Sequence, residues 1–193
     1  MMCLDSTPAG SKSPKADIYH ENMTNLTRRT LLGAAVAAGA LTIPAPARAG
    51  APTQNYWRYC DHCHEMFFDG YAGKGSCPGG GGHVASGLYF ALPHSSVETP
   101  TAQAQWRYCR KCQAMFYNGY SPAGVCPAGG GHAAQGLNFV LPHDMVTGAG
   151  SQSEWRYCRK CHVMFYDGYE NKGRCPSGGG HSAQGYMFVL PHL

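Results

Sequence analysis

Hydrophobic residues recur with a period of two near the end of three similar segments of the chain. Leu88, Phe90 and Leu92 are separated by single residues, and the same pattern returns at 137–141 and 186–190. A period of two places alternate side chains on the same face of a β-strand. Each segment therefore predicts a closing strand that buries one face.

These strands belong to a repeat of 49 residues. A shift of that length aligns Trp57 with Trp106 and Trp155, and the register holds without a gap for 38 positions, 22 of which carry the same residue in all three copies. The segments between the copies are polar and share little. The predicted organisation is three repeats (57–94, 106–143 and 155–193) joined by two linkers (95–105 and 144–154).

Two further strands are predicted within each copy. Trp57 and Tyr59 flank Arg58 with the spacing of a strand, and the segment 66–68 leads into Asp69-Gly70, a dipeptide that favours a tight hairpin turn. No segment after Gly50 has helical periodicity. The predicted fold class is therefore all-β, with three short strands per repeat.

A block of 38 residues is too small to bury a sufficient core alone, and usually needs a metal, disulfides or association. The 26 glycines, 13 prolines and 10 cysteines of this chain of 193 residues also favour small stapled modules. The polar linkers favour three independent modules. The alternative is one closed, threefold domain resembling a β-trefoil.

Cysteine and histidine recur at a fixed spacing that is typical of a metal site. Each copy contains Cys-x2-Cys, thirteen residues, a third cysteine, five residues and a histidine. Three thiolates and one imidazole complete a tetrahedral zinc shell, the closed form typical of structural sites. We expect three zinc ions per chain, with iron a less suitable metal, held by Cys60, Cys63, Cys77 and His83; Cys109, Cys112, Cys126 and His132; and Cys158, Cys161, Cys175 and His181.

A disulfide framework is the alternative, and export would favour it. Three cysteines per copy would leave one thiol unpaired in each, whereas a zinc shell uses all of them. Three further histidines end the closing strands, and these either bind metal, cap the backbone or pack on a neighbouring ring: His94, His143 and His192. Histidines that occur in only some copies are expected to be exposed: His62, His64 and His162.

The N-terminal region resembles a twin-arginine export signal. Arg28 and Arg29 precede a weakly apolar run at 31–43, and Ala47-Arg48-Ala49 offers small residues for cleavage. The run has 13 residues, fewer than a membrane span needs. The resemblance implies that residues 1–49 are a signal with a polar extension, starting from Met1 or Met23, and that the twin-arginine translocon delivers the protein to the periplasm or the exterior.

The repeats themselves, with Trp-Arg-Tyr-Cys-x-x-Cys and Cys-Pro-x-Gly-Gly-Gly-His, resemble a short tandem repeat of secreted bacterial proteins. Their opening half is similar to a zinc-ribbon knuckle. The resemblance implies small zinc-closed β modules, and it implies no particular activity.

Composition and motifs exclude several classes of function. The net charge of +4 and the 13% of charged residues do not indicate a nucleic-acid binder, and no recurring nucleophile or carboxylate pair predicts an enzyme. We expect a non-enzymatic, multivalent binding protein whose ligand is a carbohydrate or another cell-surface group, because aromatic rings near turns stack on sugars. Metal handling in the envelope is the alternative. The tyrosines expected to bind the ligand are Tyr71, Tyr120 and Tyr169.

Overall fold

A computed structural model describes residues 50–193, so the predicted export signal lies outside the described residues. This part of the chain forms nine β-strands and no helix. It therefore has no helix that could cross a membrane. The strands are β1 (Thr53–Cys60), β2 (Met66–Phe68), β3 (Ala85–Pro93), β4 (Ala102–Cys109), β5 (Met115–Tyr117), β6 (Ala134–Pro142), β7 (Ser151–Cys158), β8 (Met164–Tyr166) and β9 (Ala183–Pro191).

Each repeat forms one antiparallel sheet of three strands. The first strand of the repeat lies in the centre, in the orders β2-β1-β3, β5-β4-β6 and β8-β7-β9. The all-β prediction with three repeated modules is confirmed. Strands β4 and β7 begin at Ala102 and Ser151, inside the segments that the sequence predicts to be linkers.

The sequence predicted a tight hairpin turn at Asp69-Gly70. In the structure the turn lies at the Cys-x2-Cys motif instead. The segment between Cys60 and Glu65 joins β1 to β2, and His64 adopts a φ of 67° there. A Cβ on Gly70 would lie 2.5 Å from the ring of Phe68. Gly70 is therefore required because an aromatic ring covers its Cα.

The closing strands are buried on both faces at their ends, which corrects the expectation of one buried face. Phe90, Ala91 and Leu92 are all buried, although Ala91 points opposite to its neighbours, and Leu88 is exposed. The chain just past the end of β3 meets the next repeat, where the backbone N–H of Ser95 donates to the carbonyl oxygen of Asn138 at 2.9 Å.

The three repeats share one hydrophobic core. Trp57 of the first repeat packs edge-on against Phe139 of the second, with ring centroids 5.1 Å apart, and equivalent pairs join the second repeat to the third and the third to the first. The core residues are Trp57, Met66, Phe90 and Leu92 with their equivalents Trp106, Met115, Phe139, Leu141, Trp155, Met164, Phe188 and Leu190.

Backbone hydrogen bonds follow the same cyclic order. The N–H of Phe68 donates to the carbonyl oxygen of Gln113 at 3.0 Å, Tyr117 donates to His162, and Tyr166 donates to His64. The expectation of independent modules is therefore wrong. The tryptophan of each repeat is buried by a neighbouring repeat, so the repeats form one closed, threefold unit, which is the alternative that the sequence left open.

Candidate functional site

Each predicted set of three cysteines and one histidine converges on one point. In the first repeat Cys60 is the last residue of β1 and Cys63 lies on the turn that follows, while Cys77 and His83 lie on the long loop between β2 and β3. All four residues are buried, and their donor atoms lie within 4.8 Å of one another. The second and third repeats repeat this cluster.

The donor atoms are arranged around a common centre. The Sγ atoms of Cys60 and Cys77 are 3.9 Å apart, and Nδ1 of His83 is 3.4 Å from Sγ of Cys63. Backbone N–H groups of Val84 and Gly79 donate to the sulfurs of Cys60 and Cys77 at 3.4 and 3.3 Å. Such bonds stabilise thiolates and orient ligands.

The cysteines of each cluster differ in pKa. Hydrogen bonds from Cys63 and Cys77 lower the pKa of the Cys60 thiol, whereas burial raises the pKa of the Cys63 thiol. The equivalents of Cys60 in the other repeats, Cys109 and Cys158, also have a lowered pKa. A thiolate is the form that binds metal. The donor set fits zinc, with the four residues of each cluster as its ligands, and the nine cysteines between residues 50 and 193 are free thiols in the structure.

The second ring nitrogen of each cluster histidine bonds to the next repeat. Nε2 of His83 donates to the carbonyl oxygen of Cys112 at 3.0 Å, and the second and third repeats make the same bond. A proton on Nε2 leaves Nδ1 free to bind metal. Phe67 stacks on the imidazole of His83 with centroids 4.8 Å apart and fixes the ring plane.

A glycine allows this close approach. Gly75 has a φ of 63°, and a Cβ there would lie 2.1 Å from the carbonyl oxygen of Cys112. Gly124 and Gly173 repeat the contact with the next turn. Only glycine combines this backbone angle with a surface that another backbone can touch. The interface between the metal-binding loops therefore depends on these three glycines.

One buried carboxyl breaks the threefold symmetry. Glu65 is fully buried, and Ala114 and Val163 occupy its position in the other repeats. Among the described residues, neither of its oxygens has a hydrogen-bond partner, and Oε1 lies 3.7 Å from Nε2 of His181. Burial raises the pKa of Glu65, and the nearby cluster histidines oppose that rise.

The other histidines lie outside the three clusters. His143 is buried against Tyr186, and His94 and His192 contact Phe139 and Phe90 edge-on, so these three pack on rings. The expectation that the remaining histidines are exposed holds for His62. The expectation is wrong for His64, which is 8% exposed, and for His162, which is half-buried. The reason is that each lies against a tyrosine ring of the preceding repeat in the cyclic order.

Three aromatic pockets lie at the junctions between repeats. Between the second and third repeats, Tyr117 and Tyr120 of one repeat meet Tyr157 of the next, with ring centroids 5.2, 6.0 and 6.1 Å apart. We call such a set of three rings an aromatic triad. The other two triads have nearly the same spacing and consist of Phe68, Tyr71 and Tyr108, and of Tyr166, Tyr169 and Tyr59.

Each pocket also contains an oriented amide. Nε1 of buried Trp106 donates to Oε1 of Gln103 at 3.0 Å, and the equivalent bond is 3.2 Å at Trp57 and 3.0 Å at Trp155. Because an indole N–H only donates, it selects the amide oxygen of the glutamine. Gln103 lines the pocket, and its amide NH2 group remains available to donate a hydrogen bond to a ligand there.

The predicted tyrosines lie in these pockets. Tyr71, Tyr120 and Tyr169 are 54, 58 and 54% exposed, so they are not part of the core. The predicted residues did not include the half-buried ring that the next repeat contributes. The Trp-Arg-Tyr-Cys motif, which is identical in all three copies, contains this ring, as Tyr59, Tyr108 and Tyr157.

Comparison with known proteins adds no relative to this description: no protein family, curated protein or solved structure matches the chain.

Proposed function

We propose that this chain is a secreted, non-enzymatic protein that binds glycans through its three inter-repeat pockets. The observation that carries the proposal is the aromatic triad, which recurs at all three junctions with centroid spacings between 5.0 and 6.2 Å. Exposed rings that are not needed for the core are typical of a binding surface.

The chemistry of the pockets suits a sugar. The C–H face of a pyranose ring packs on tyrosine, and its hydroxyl groups bond to amides and phenols. Burial and the neighbouring Tyr71 raise the pKa of Tyr108 to about 12, so this phenol stays neutral and can donate. Gln54, whose oxygen is held by Trp57, lines the same pocket as Tyr108.

Three related pockets on one closed domain favour multivalent binding. Weak sites gain avidity when a single partner carries several copies of the ligand, as a cell-surface glycan does. The three metal clusters serve this function indirectly. Each fixes the loop between the second and third strands of its repeat, and zinc would supply the folding energy that so short a repeat lacks.

Envelope metal handling is less well supported. Within residues 50–193 the three clusters are the sets of three or more suitable ligands that lie close together, and every ligand in them is buried. Reversible exchange of a metal ion would require accessible ligands. A closed shell of four buried donors suits a structural ion instead.

The test is a glycan array probed with the zinc-loaded mature protein, followed by titration of the best glycan. We expect Tyr71→Ala, Tyr120→Ala and Tyr169→Ala each to weaken binding and the triple variant to abolish avidity, with the fold retained. Tyr89→Ala is the matched control, because Tyr89 is 52% exposed and lies over Arg58, away from the pockets. A blank array for the folded protein would refute the proposal.

A further inference from the structure

The three pockets are not equal in size. The pocket between the second and third repeats has a volume of about 370 Å³, and the other two have about 110 and 120 Å³. Sites for small molecules have volumes of about 300–1,000 Å³. Of the three, the pocket between the second and third repeats, called here the 2–3 pocket, is the one whose volume lies in that range.

One substitution between the repeats distinguishes the walls of this pocket. Tyr186 lines the 2–3 pocket, whereas Leu137 and Leu88 stand at the equivalent positions of the other two. The 2–3 pocket thus has four tyrosines and two glutamines on its walls. They are Tyr117, Tyr120, Tyr157, Tyr186, Gln103 and Gln184.

The ring of Tyr186 is held in place by His143 of the second repeat. Its ring stacks on His143 with centroids 3.7 Å apart and an interplanar angle of 11°, and His143 is almost fully buried. Nδ1 of His143 lies 3.1 Å from a carboxylate oxygen of Asp144, whose other oxygen accepts a bond from the N–H of Met187 at 3.1 Å. A ring fixed in this way loses little conformational entropy when a ligand binds.

The lining of the 2–3 pocket carries no charged side chain, whereas Asp61 lines the pocket between the third and first repeats. Burial and the neighbouring Tyr120 raise the pKa of Tyr157, which keeps this phenol neutral at physiological pH. Neutral donors and acceptors around apolar rings match a ligand that has hydroxyl groups and an apolar face but no charge.

We propose that the 2–3 pocket is the primary site, that it encloses one uncharged pyranose residue of a glycan, and that Tyr186 makes it the strongest of the three. The inference rests on the proposed glycan-binding function and deepens it. The two smaller pockets then act as secondary contacts for neighbouring residues or chains of the same glycan. Their lower volume and their leucines give them less ring surface for stacking.

The repeats themselves supply the variants for a test. Tyr186→Leu introduces the residue that both other repeats carry at this position, so it is compatible with the fold. Leu137→Tyr makes the reciprocal change in the pocket between the first and second repeats, where His94 takes the place of His143. The probes are methyl glycosides of glucose, galactose, mannose and N-acetylglucosamine, with methyl glucuronoside and tetramethylammonium as charged comparisons, titrated against the zinc-loaded protein and followed by NMR.

We expect a neutral glycoside to occupy one dominant site and to shift the ring signals of Tyr186. Tyr186→Leu should lower its affinity about fivefold or more, the effect of one stacked ring. Leu137→Tyr should strengthen binding at the pocket between the first and second repeats, which stays weaker than the 2–3 pocket because its volume is smaller. The inference is overturned if one glycoside binds to all three pockets of the wild type with equal affinity, or if Tyr186→Leu leaves the affinity unchanged. It is also overturned if a charged probe binds more tightly than the neutral glycosides.

A different result would overturn the proposed function as well. If no glycoside binds and the array is also blank, then glycan recognition itself is wrong. If array glycans bind but Tyr186→Leu behaves like the wild type while Tyr120→Ala is weakened, the pockets bind glycans without a primary site. The two failures are therefore distinguishable.

Discussion

Nε2 of His181 donates a hydrogen bond to the backbone carbonyl oxygen of Cys63, which lies 118 residues earlier in the chain, at 3.0 Å. His181 belongs to the cluster of the third repeat and Cys63 to the cluster of the first. Two equivalent bonds, from His83 and His132, join the other repeats. The three bonds form a closed ring, so each cluster histidine is oriented by the metal-binding turn of another repeat.

Loss of one metal site should therefore affect the whole domain. Cys77→Ser should leave two of the three zinc ions bound and lower the stability of all three repeats together. The reason is that a structural zinc site contributes on the order of 10 kcal/mol of apparent binding energy, which is comparable with the total stability of a domain. Metal analysis and thermal unfolding followed by NMR measure both effects.

Ser76→Ala is the control for this variant, because Ser76 adjoins Cys77 but is not a ligand. If Cys77→Ser broadened only the amide signals of residues 57–94 and left the other repeats folded, the repeats would be energetically independent in spite of their shared core.

Adding a methyl group to Gly75, which contacts the carbonyl oxygen of Cys112, should destabilise the domain. Gly75→Ala would place a Cβ 2.1 Å from that oxygen at a φ of 63°. We expect a loss of roughly 2–4 kcal/mol in the free energy of unfolding, from left-handed strain and overpacking combined. Gly73→Ala is the control, since a Cβ there meets nothing within 4 Å. Chemical denaturation should show a large difference between the two variants; equal midpoints would contradict the interface described above.

Replacement of the buried carboxyl should stabilise the protein. Glu65→Val introduces the residue found in the third repeat and removes two oxygens that have no hydrogen-bond partner among the described residues. A buried polar group without a partner costs about 1–3 kcal/mol, so the free energy of unfolding at neutral pH should rise by a similar amount. Glu170→Ala, at an exposed position, controls for the change in net charge. A fall in stability would show that Glu65 has a favourable contact in solution.

Export through the twin-arginine route can be tested at the N-terminus. Arg28 and Arg29 are the residues that the translocon would read, so the double change to lysine should leave the precursor in the cytoplasm. Fractionation followed by immunoblotting measures this, with Arg48→Lys as a control that retains the pair. The export hypothesis fails if sequencing of the secreted protein finds Met1 or Met23 at the N-terminus instead of a residue near Gly50.

The amino-acid sequence by itself determined the features that depend on short spacings. The period of two at 88–92 predicted a strand, the shift of 49 residues revealed the repeat, and the donors Cys60, Cys63, Cys77 and His83 were recognisable because a metal cluster needs them within one short segment. The exposure of Tyr71 also followed from its place just past the predicted turn at Asp69-Gly70.

Only the tertiary structure decided what depends on contacts between repeats. Each pocket joins residues of two repeats, such as Tyr120 and Tyr157, and no local pattern shows which repeat will be the neighbour. The polar linkers suggested independence, but the buried face of Trp57 is completed by Phe139, 82 positions away. Burial of Glu65 and closure of the ring from His181 to Cys63 likewise arise from packing over long sequence separations, where alternative partners have identical sequence motifs.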